Sequence, residues 1–300
     1  MSTKIGFIGV GLMGHGIAKN LLEKGYPVTA MAHRNRAPLE DLLARGAQEA
    51  ATPKAIAEAA DVVMICVTGA PQVEAIVYGE NGLLQGLRDG QTVIDCTTNL
   101  PAMTERLAAD FAAHGVTLVD GPLALTPKEA EEGKLNCMIG ASDEVFAMVK
   151  PIFECFCQNI VHTGPTGSAI KVKLIYNFLA MGIVGLIAET MCAVAAAGID
   201  KQRFYDIISA GGANCGIFQR IITRAMESGD YDGLMFSVAN AAKDLTYYTR
   251  MTEDFPLTGN LGNAVQHAFL QAKNMGLGDD YVGALMTAQS RLNGVEIFKT

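Results

Sequence analysis

The sequence predicts a doubly wound α/β domain with a mostly parallel sheet over residues 1–163, followed by an all-α domain over residues 164–300. Three observations predict it. Short β-branched runs alternate with amphipathic stretches through the first half, as repeated βαβ units require. Several of those runs are apolar without alternation, as in Val62-Val-Met-Ile-Cys-Val67, which suits strands covered on both faces. After His162 the texture changes: Gly164-Pro-Thr-Gly167 is a breaker cluster, and helical signals dominate beyond it. A chain of 300 residues also exceeds what one core usually holds.

The strands of the first domain are expected at 4–8, 28–31, 62–67, 92–95, 117–120, 136–139 and 159–162, with helices at 12–24, 37–45, 53–59, 71–78 and 101–114. The linking helix is expected at about 168–197, ended by Gly198 as a glycine stop. Further helices are expected at 201–209, 216–228, 237–252, 260–275 and 282–293.

Composition narrows the function classes. Hydrophobic residues make up 50% of the chain and charged residues 18%, so a large core can form. The net charge of −8 argues against nucleic acid as a partner, because phosphate backbones are held by Lys and Arg. The seven cysteines are 66, 96, 137, 155, 157, 192 and 215; the count is odd and no Cys/His group has metal-ligand spacing. They read as reduced, buried thiols of a cytoplasmic protein. No leader segment is expected, because residues 4–8 start a strand at once. Residues 174–188 imitate a membrane span, but Lys173, Asn177 and Glu189 interrupt the apolar theme. The clean run also falls short of the roughly 20 residues a span needs. It reads instead as a helix buried between domains or subunits, with a homodimer or homotetramer expected and no membrane partner.

Gly9-Val-Gly11-Leu12-Met13-Gly14 follows the first strand and opens a helix, the context in which Gly-x-Gly-x-x-Gly binds a dinucleotide. Gly9 permits the tight turn, Gly11 lets backbone approach a pyrophosphate, and Gly14 allows close helix–strand packing. The first domain is thus of the Rossmann type, with the helix N–H groups and dipole facing the phosphates. The second strand ends in Ala30-Met-Ala-His33-Arg34-Asn35-Arg36, and no carboxylate appears until Glu40. An acid there would bind the ribose hydroxyl of NAD, whereas arginine suits the 2′-phosphate, so NADP is favoured over NAD.

The whole chain resembles the β-hydroxyacid dehydrogenase family. The resemblance rests on Gly6-Phe-Ile-Gly-Val-Gly-Leu-Met-Gly14, on Asp120-Gly-Pro122-Leu123-Ala124-Leu125-Thr126 with Ala130-Glu-Glu-Gly-Lys-Leu135, on Gly164-x-x-Gly167 with Lys173-Leu-Ile-Tyr176-Asn177, and on Lys243-Asp244-Leu245. Asp95-Cys-Thr-Thr98 with Pro101 is similar to a family cofactor segment. The resemblance implies a small-molecule oxidoreductase. It implies cofactor contacts from Gly9, Gly11, Leu12, Met13, Gly14, His33, Arg34, Asn35, Val67, Thr68, Thr98 and Lys243, and substrate contacts from residues 122–126, Tyr176 and Lys243. Lys243 would attract a substrate carboxylate or touch the cofactor.

Lys173 and Asn177 are four apart on a helix and so share one face. The resemblance makes Lys173 the general acid/base, giving a proton to the carbonyl oxygen or taking it from the alcohol. Asn177 would hold the same oxygen or orient the lysine. Lys171, two residues away, points to the opposite side and matches no family position. The five histidines fall outside the catalytic stretches and read as structural.

Two departures bear on the substrate. The family's Ser-Gly-Gly stands here as Ala124-Leu125-Thr126, so a hydroxyl is lost, bulk is added, and Thr126 is expected to restore one donor. Tyr176 replaces the first asparagine of the family's Asn-Asn pair. The expected reaction is interconversion of a small β-hydroxy acid and its semialdehyde. A short-chain aldehyde reductase of the sulfolactaldehyde or succinic semialdehyde type remains open, as does a non-catalytic dinucleotide-binding module. A decarboxylating enzyme of the 6-phosphogluconate type would need a larger helical domain, and imine reductases often lack the lysine.

Overall fold

The computed structural model describes residues 3–298. The chain forms two compact units that meet in sequence between Lys173 and Leu174. The first unit carries the sheet. Its elements run β1 (Ile5–Ile8), α1 (Gly14–Glu23), β2 (Val28–Met31), α2 (Ala37–Ala44), β3 (Gln48–Glu49), α3 (Pro53–Ala59), β4 (Val62–Ile65), α4 (Ala70–Tyr78), β5 (Thr92–Asp95), α5 (Pro101–Ala112), β6 (Thr117–Asp120), β7 (Leu123–Ala124), α6 (Pro127–Glu131), β8 (Leu135–Gly140), α7 (Asp143–Phe153) and β9 (Cys157–Gly164).

The spatial order begins β3-β2-β1-β4-β5-β6, parallel throughout. That is the doubly wound order, which reverses direction between β1 and β4 and so opens a crevice at their carboxyl ends. β8 then pairs antiparallel with β6 and β7 and parallel with β9. β1, β4 and β5 are buried along their whole length, which explains why β1 and β4 carry no polar side chain, while β5 buries Thr92 and Asp95 at its ends. One core cluster is built on Phe7, Ile17, Leu39, Phe153 and Phe156, and a second on Ile56, Val63, Ile65, Leu107 and Phe111. Phe7 and Ile8 are successive residues of β1 that enter different clusters, as the two-residue period of a strand demands.

The sequence reading did not anticipate four elements: β3, β7, α6 and α7. β3 and β7 are two residues each, below the length at which a pattern can be read. α6 has five residues, yet it carries a legible start: Thr126 and Glu129 form a capping box and Pro127 follows the cap. α7 starts on Ser142, whose hydroxyl accepts from the Val145 N–H, and Pro151 in its last turn hides its periodicity.

α8 (Ser168–Ala196) is one continuous helix of 29 residues. From Leu174 on, the second unit is helical: α9 (Lys201–Ala210), α10 (Gly216–Ser228), α11 (Val238–Glu253), α12 (Asn260–Ala272) and α13 (Leu285–Asn293). Asp200 and Ser237 cap α9 and α11, accepting from the N–H groups of Arg203 and Asn240. Gly229 ends α10 in the left-handed conformation that favours glycine. The helix expected to run to residue 275 stops at Ala272; the chain then widens into a π turn (Lys273–Leu277), and Gly276 breaks it at φ +86°.

Candidate active site

Register decides which candidates can meet. Ile8 is level with Met31 and Ile65, Ile65 with Asp95, and Asp95 with Asp120. The chain therefore leaves β1, β2, β4, β5 and β6 along one edge of the sheet. Gly9–Gly14, His33–Asn35, Val67 and Thr68, Thr98, and Pro122–Thr126 all follow those strand ends. Five segments that are distant in sequence are thus brought to one edge.

The three glycines of the first loop stand in three different settings. A Cβ on Gly9, whose φ is +103°, would lie 2.1 Å from the Cys66 carbonyl oxygen at the end of β4. A Cβ on Gly14 would lie 1.9 Å from the Gly9 carbonyl oxygen and 2.9 Å from the Phe7 ring. A Cβ on Gly11 would meet nothing within 4 Å. The protein's own packing thus demands glycine at 9 and 14 but not at 11. No side chain caps the first turn of α1, although the His15 N–H already donates to the Gly11 carbonyl at 3.0 Å. A bare backbone cradle with uncapped amides fits the pyrophosphate of a dinucleotide. Leu12 projects outward, 82% exposed.

At the end of β2 the two arginines differ. Arg36 grips Glu49 with both terminal nitrogens, at 3.0 and 3.1 Å. Arg34 is exposed and has no ion-pair partner among the described residues. Asn35 accepts the Ala37 N–H and so shapes the turn into α2. The loops after β4 and β5 are joined, because the Val67 N–H donates to the Thr97 hydroxyl at 3.1 Å. Behind them Asp95, 2% exposed, accepts from the Thr97 N–H and the Asn99 amide, each at 2.9 Å. Burial pushes the Asp95 carboxyl up to about 6, against the hydrogen bonds that favour its charge.

The segment after β6 departs from expectation. The Thr126 hydroxyl and backbone N–H both donate to the Glu129 carboxylate, the N–H at 3.0 Å. The donor expected to replace a lost serine is therefore engaged in capping α6. Leu125 adopts φ +87°, a backbone that costs a β-carbon residue of order 1–3 kcal/mol. It persists because both sides are clamped. β7 pairs with β8, and α6 lies on α1, where a Cβ on Gly16 would be 2.6 Å from the Ala130 and Glu131 backbone. Glu131 binds His15 at 2.6 Å and Lys19 at 2.8 Å, and Asn20 donates to the Ala130 carbonyl.

Lys173, on α8, is only 8% exposed. The competitor Lys171 is 40% exposed and pairs with Glu105 at 3.0 Å. One turn beyond Lys173, Asn177 is 5% exposed and donates its amide to Asp244 at 2.6 Å. Asp244, 2% exposed, places its other oxygen 2.8 Å from the Lys243 ammonium, an ion contact rather than an aligned hydrogen bond. Asn177 and Lys243, predicted separately, therefore meet through one buried carboxylate that sequence reasoning did not single out. Tyr176 is 46% exposed.

The model of the NAD binding domain of 6-phosphogluconate dehydrogenase matches residues 4–164. The model described as the NAD-binding of NADP-dependent 3-hydroxyisobutyrate dehydrogenase matches residues 167–288. The chain belongs to the β-hydroxyacid dehydrogenase family. It is 32% identical over 249 residues to 2-hydroxy-3-oxopropionate reductase of Escherichia coli K12, covering 81% of this chain and 82% of that one. It is 28% identical over 296 residues to 2-(hydroxymethyl)glutarate dehydrogenase of Eubacterium barkeri, covering 99% and 98%. A solved 3-hydroxyisobutyrate dehydrogenase of Mycobacterium tuberculosis shares the fold, with a TM-score of 0.86 at 21% identity, covering 96% of this chain and 99% of that one. The family resemblance and the fold read from the sequence are both borne out, and the chain is an NAD(P)-dependent oxidoreductase acting on CH–OH groups.

The raised Asp95 carboxyl predicts a pH signature. Its folded value of about 6 exceeds its ordinary 3.8, so between those values the folded chain holds the proton more tightly than the unfolded one. Its contribution is fully present below 3.8 and lost as pH rises through about 6. Melting curves of wild type and Asp95→Asn between about pH 7.5 and 5.5 should show the gap in Tm moving in favour of wild type as pH falls. A pH-independent gap would contradict this.

Proposed function

We propose that the enzyme interconverts a small β-hydroxy acid and its semialdehyde, with Lys173 as general acid and base. The observation that carries this reading is the pairing of Lys173 and Asn177 on one face of α8, both nearly excluded from solvent. The nicotinamide, when bound, supplies or accepts the hydride. Lys173 gives its ammonium proton to the carbonyl oxygen as the alcohol forms, and takes it back in the reverse direction. Asn177 is held by Asp244 through one N–H, which leaves its carbonyl oxygen and second N–H to orient the lysine or the reacting oxygen. The buried setting excludes water that would compete for that proton.

NADP is the favoured cofactor, because Arg34 is the arginine at the end of β2 that no carboxylate among the described residues engages. The occupied Thr126 and the apolar Ala124 and Leu125 favour a second substrate reading, a short-chain aldehyde of the sulfolactaldehyde or succinic semialdehyde type. The seven unpaired cysteines fit a reducing compartment such as the cytoplasm.

Reduction of a panel of C3–C4 semialdehydes, followed at 340 nm with NADPH and NADH, tests the reading. Wild type should turn over at least one substrate, more efficiently with NADPH. Lys173→Ala should lower kcat by about 10²–10⁴-fold while still binding cofactor. An active Lys173→Ala enzyme would contradict the lysine's role. A wild type that binds NADPH but is silent across the panel would favour the non-catalytic module.

The unit is also proposed to associate with a second copy of itself. The most apolar stretch of α8 is only 39% buried. Ile175, Leu179 and Leu186 are 50%, 63% and 69% exposed. They recur on one stripe of the helix, turned away from the buried Lys173 and Asn177. Among the described residues this is the one helix long and apolar enough to cross a membrane, and its lysine, asparagine and glutamate suit a protein partner better than lipid. Light scattering should give a dimer or tetramer at micromolar concentration, and Leu179→Glu should shift it toward monomer. A monomeric wild type would contradict this proposal.

A further inference from the structure

Helix starts are normally capped by the residue at the turn itself. α8 is different. Gly167, just before the helix, has no side chain and sits at φ +88°. The acceptor comes from elsewhere in the chain: Asp120, the last residue of β6. One of its oxygens accepts the Gly167 N–H at 2.7 Å and the other accepts the Ile170 N–H at 2.8 Å. Asp120 is 2% exposed, and burial pushes its carboxyl up although both amides favour its charge. Space is kept for it, because a Cβ on Gly140 of β8 would lie 2.2 Å from the oxygen that accepts from Gly167. The neighbouring hydroxyls tie the same turn to the sheet: Thr166 donates to the Leu118 carbonyl and Thr163 to the Ile139 carbonyl, both at 3.1 Å.

Two hydrogen bonds to two oxygens of one rigid carboxylate fix more than the position of a helix end. Gly167 and Ile170 are three residues apart and are held by separate oxygens of one carboxylate, so the pair restrains rotation about the helix axis as well as position. Lys173 is one turn past Ile170, and three residues on a helix lie roughly 60° apart in rotation. Its direction is thus set by the sheet edge rather than by its own turn. We propose that Asp120 is the positioning residue for the catalytic lysine: its carboxylate clamps the first turn of α8 to the end of β6 and so aims Lys173. This rests on the assignment of Lys173 as the general acid and base.

The test is steady-state kinetics of Asp120→Asn on the best substrate. Asparagine offers one acceptor oxygen and turns an N–H toward the other amide, so one clamp is lost while volume is kept. A displacement of about 1 Å costs on the order of 10²-fold in rate. The expected result is a kcat lower by about ten- to 100-fold, a shifted pH profile of kcat, and NADPH affinity within about twofold of wild type. Gly140→Ala, which crowds the carboxylate without changing it, should reproduce the same kcat-selective loss. Ser142→Ala, which removes the cap of α7, serves as a control for destabilisation alone and should leave kcat and the pH profile unchanged below its melting range.

Should Asp120→Asn fail to fold, Gly140→Ala decides. If either folded variant keeps wild-type kcat and pH profile, or loses rate only in proportion to cofactor binding, the clamp does not aim the lysine. Full activity in Lys173→Ala would instead overturn the assignment on which the proposal rests, independently of what the Asp120 and Gly140 variants do.

Discussion

The site depends on one geometric constraint: five parallel strands end level with one another. Because β1, β2, β4, β5 and β6 run in register, every loop that leaves them starts at the same height. A close approach lies between β1 and β4, where the strand order reverses and the Gly9 backbone nears the Cys66 carbonyl. A side chain at Gly9 would push the first loop away from the second and open the cradle that Gly11 leaves bare.

Buried aspartates recur beside the candidate residues in each unit. Asp95, Asp120 and Asp244 are each 2% exposed; the first two each accept from two donors, and Asp244 accepts from Asn177 and makes an ion contact with Lys243. Asp95 shapes the loops after β4 and β5, Asp120 starts the lysine helix, and Asp244 joins Asn177 to Lys243. Burying a carboxylate is costly unless its oxygens are satisfied. In return each carboxylate holds a polar segment in one conformation. The strained Leu125 belongs to the same scheme, since it survives only because β7 and α6 are anchored on either side.

Much of this was legible in the sequence, for reasons that differ by residue. Gly9 and Gly14 were readable because each answers a separate packing demand within six residues. Lys173 and Asn177 were readable as a pair because helix spacing puts them on one face. Asp120 stood in a recognised motif, but its role spans 47 and 50 residues to Gly167 and Ile170, which no local pattern can reveal. The Arg36–Glu49 pair likewise took one of two candidate arginines out of contention through strand pairing between β2 and β3. The left-handed backbone of Leu125 was hidden because leucine gives no sign of it. α6 was overlooked although Thr126-Pro-Lys-Glu129 spells a capping box, a signal that short helices do carry.

Gly11 separates a cofactor cradle from a mere tight turn in the first loop. A Cβ there would meet nothing within 4 Å, so the local packing does not exclude a small side chain. Gly11→Val should be made and its NADPH binding titrated by nucleotide fluorescence alongside its melting curve. The account predicts an unchanged Tm without cofactor and an affinity reduced by about 10²-fold or more, which is at least ~3 kcal/mol. A variant that folds normally and binds NADPH like wild type would contradict it.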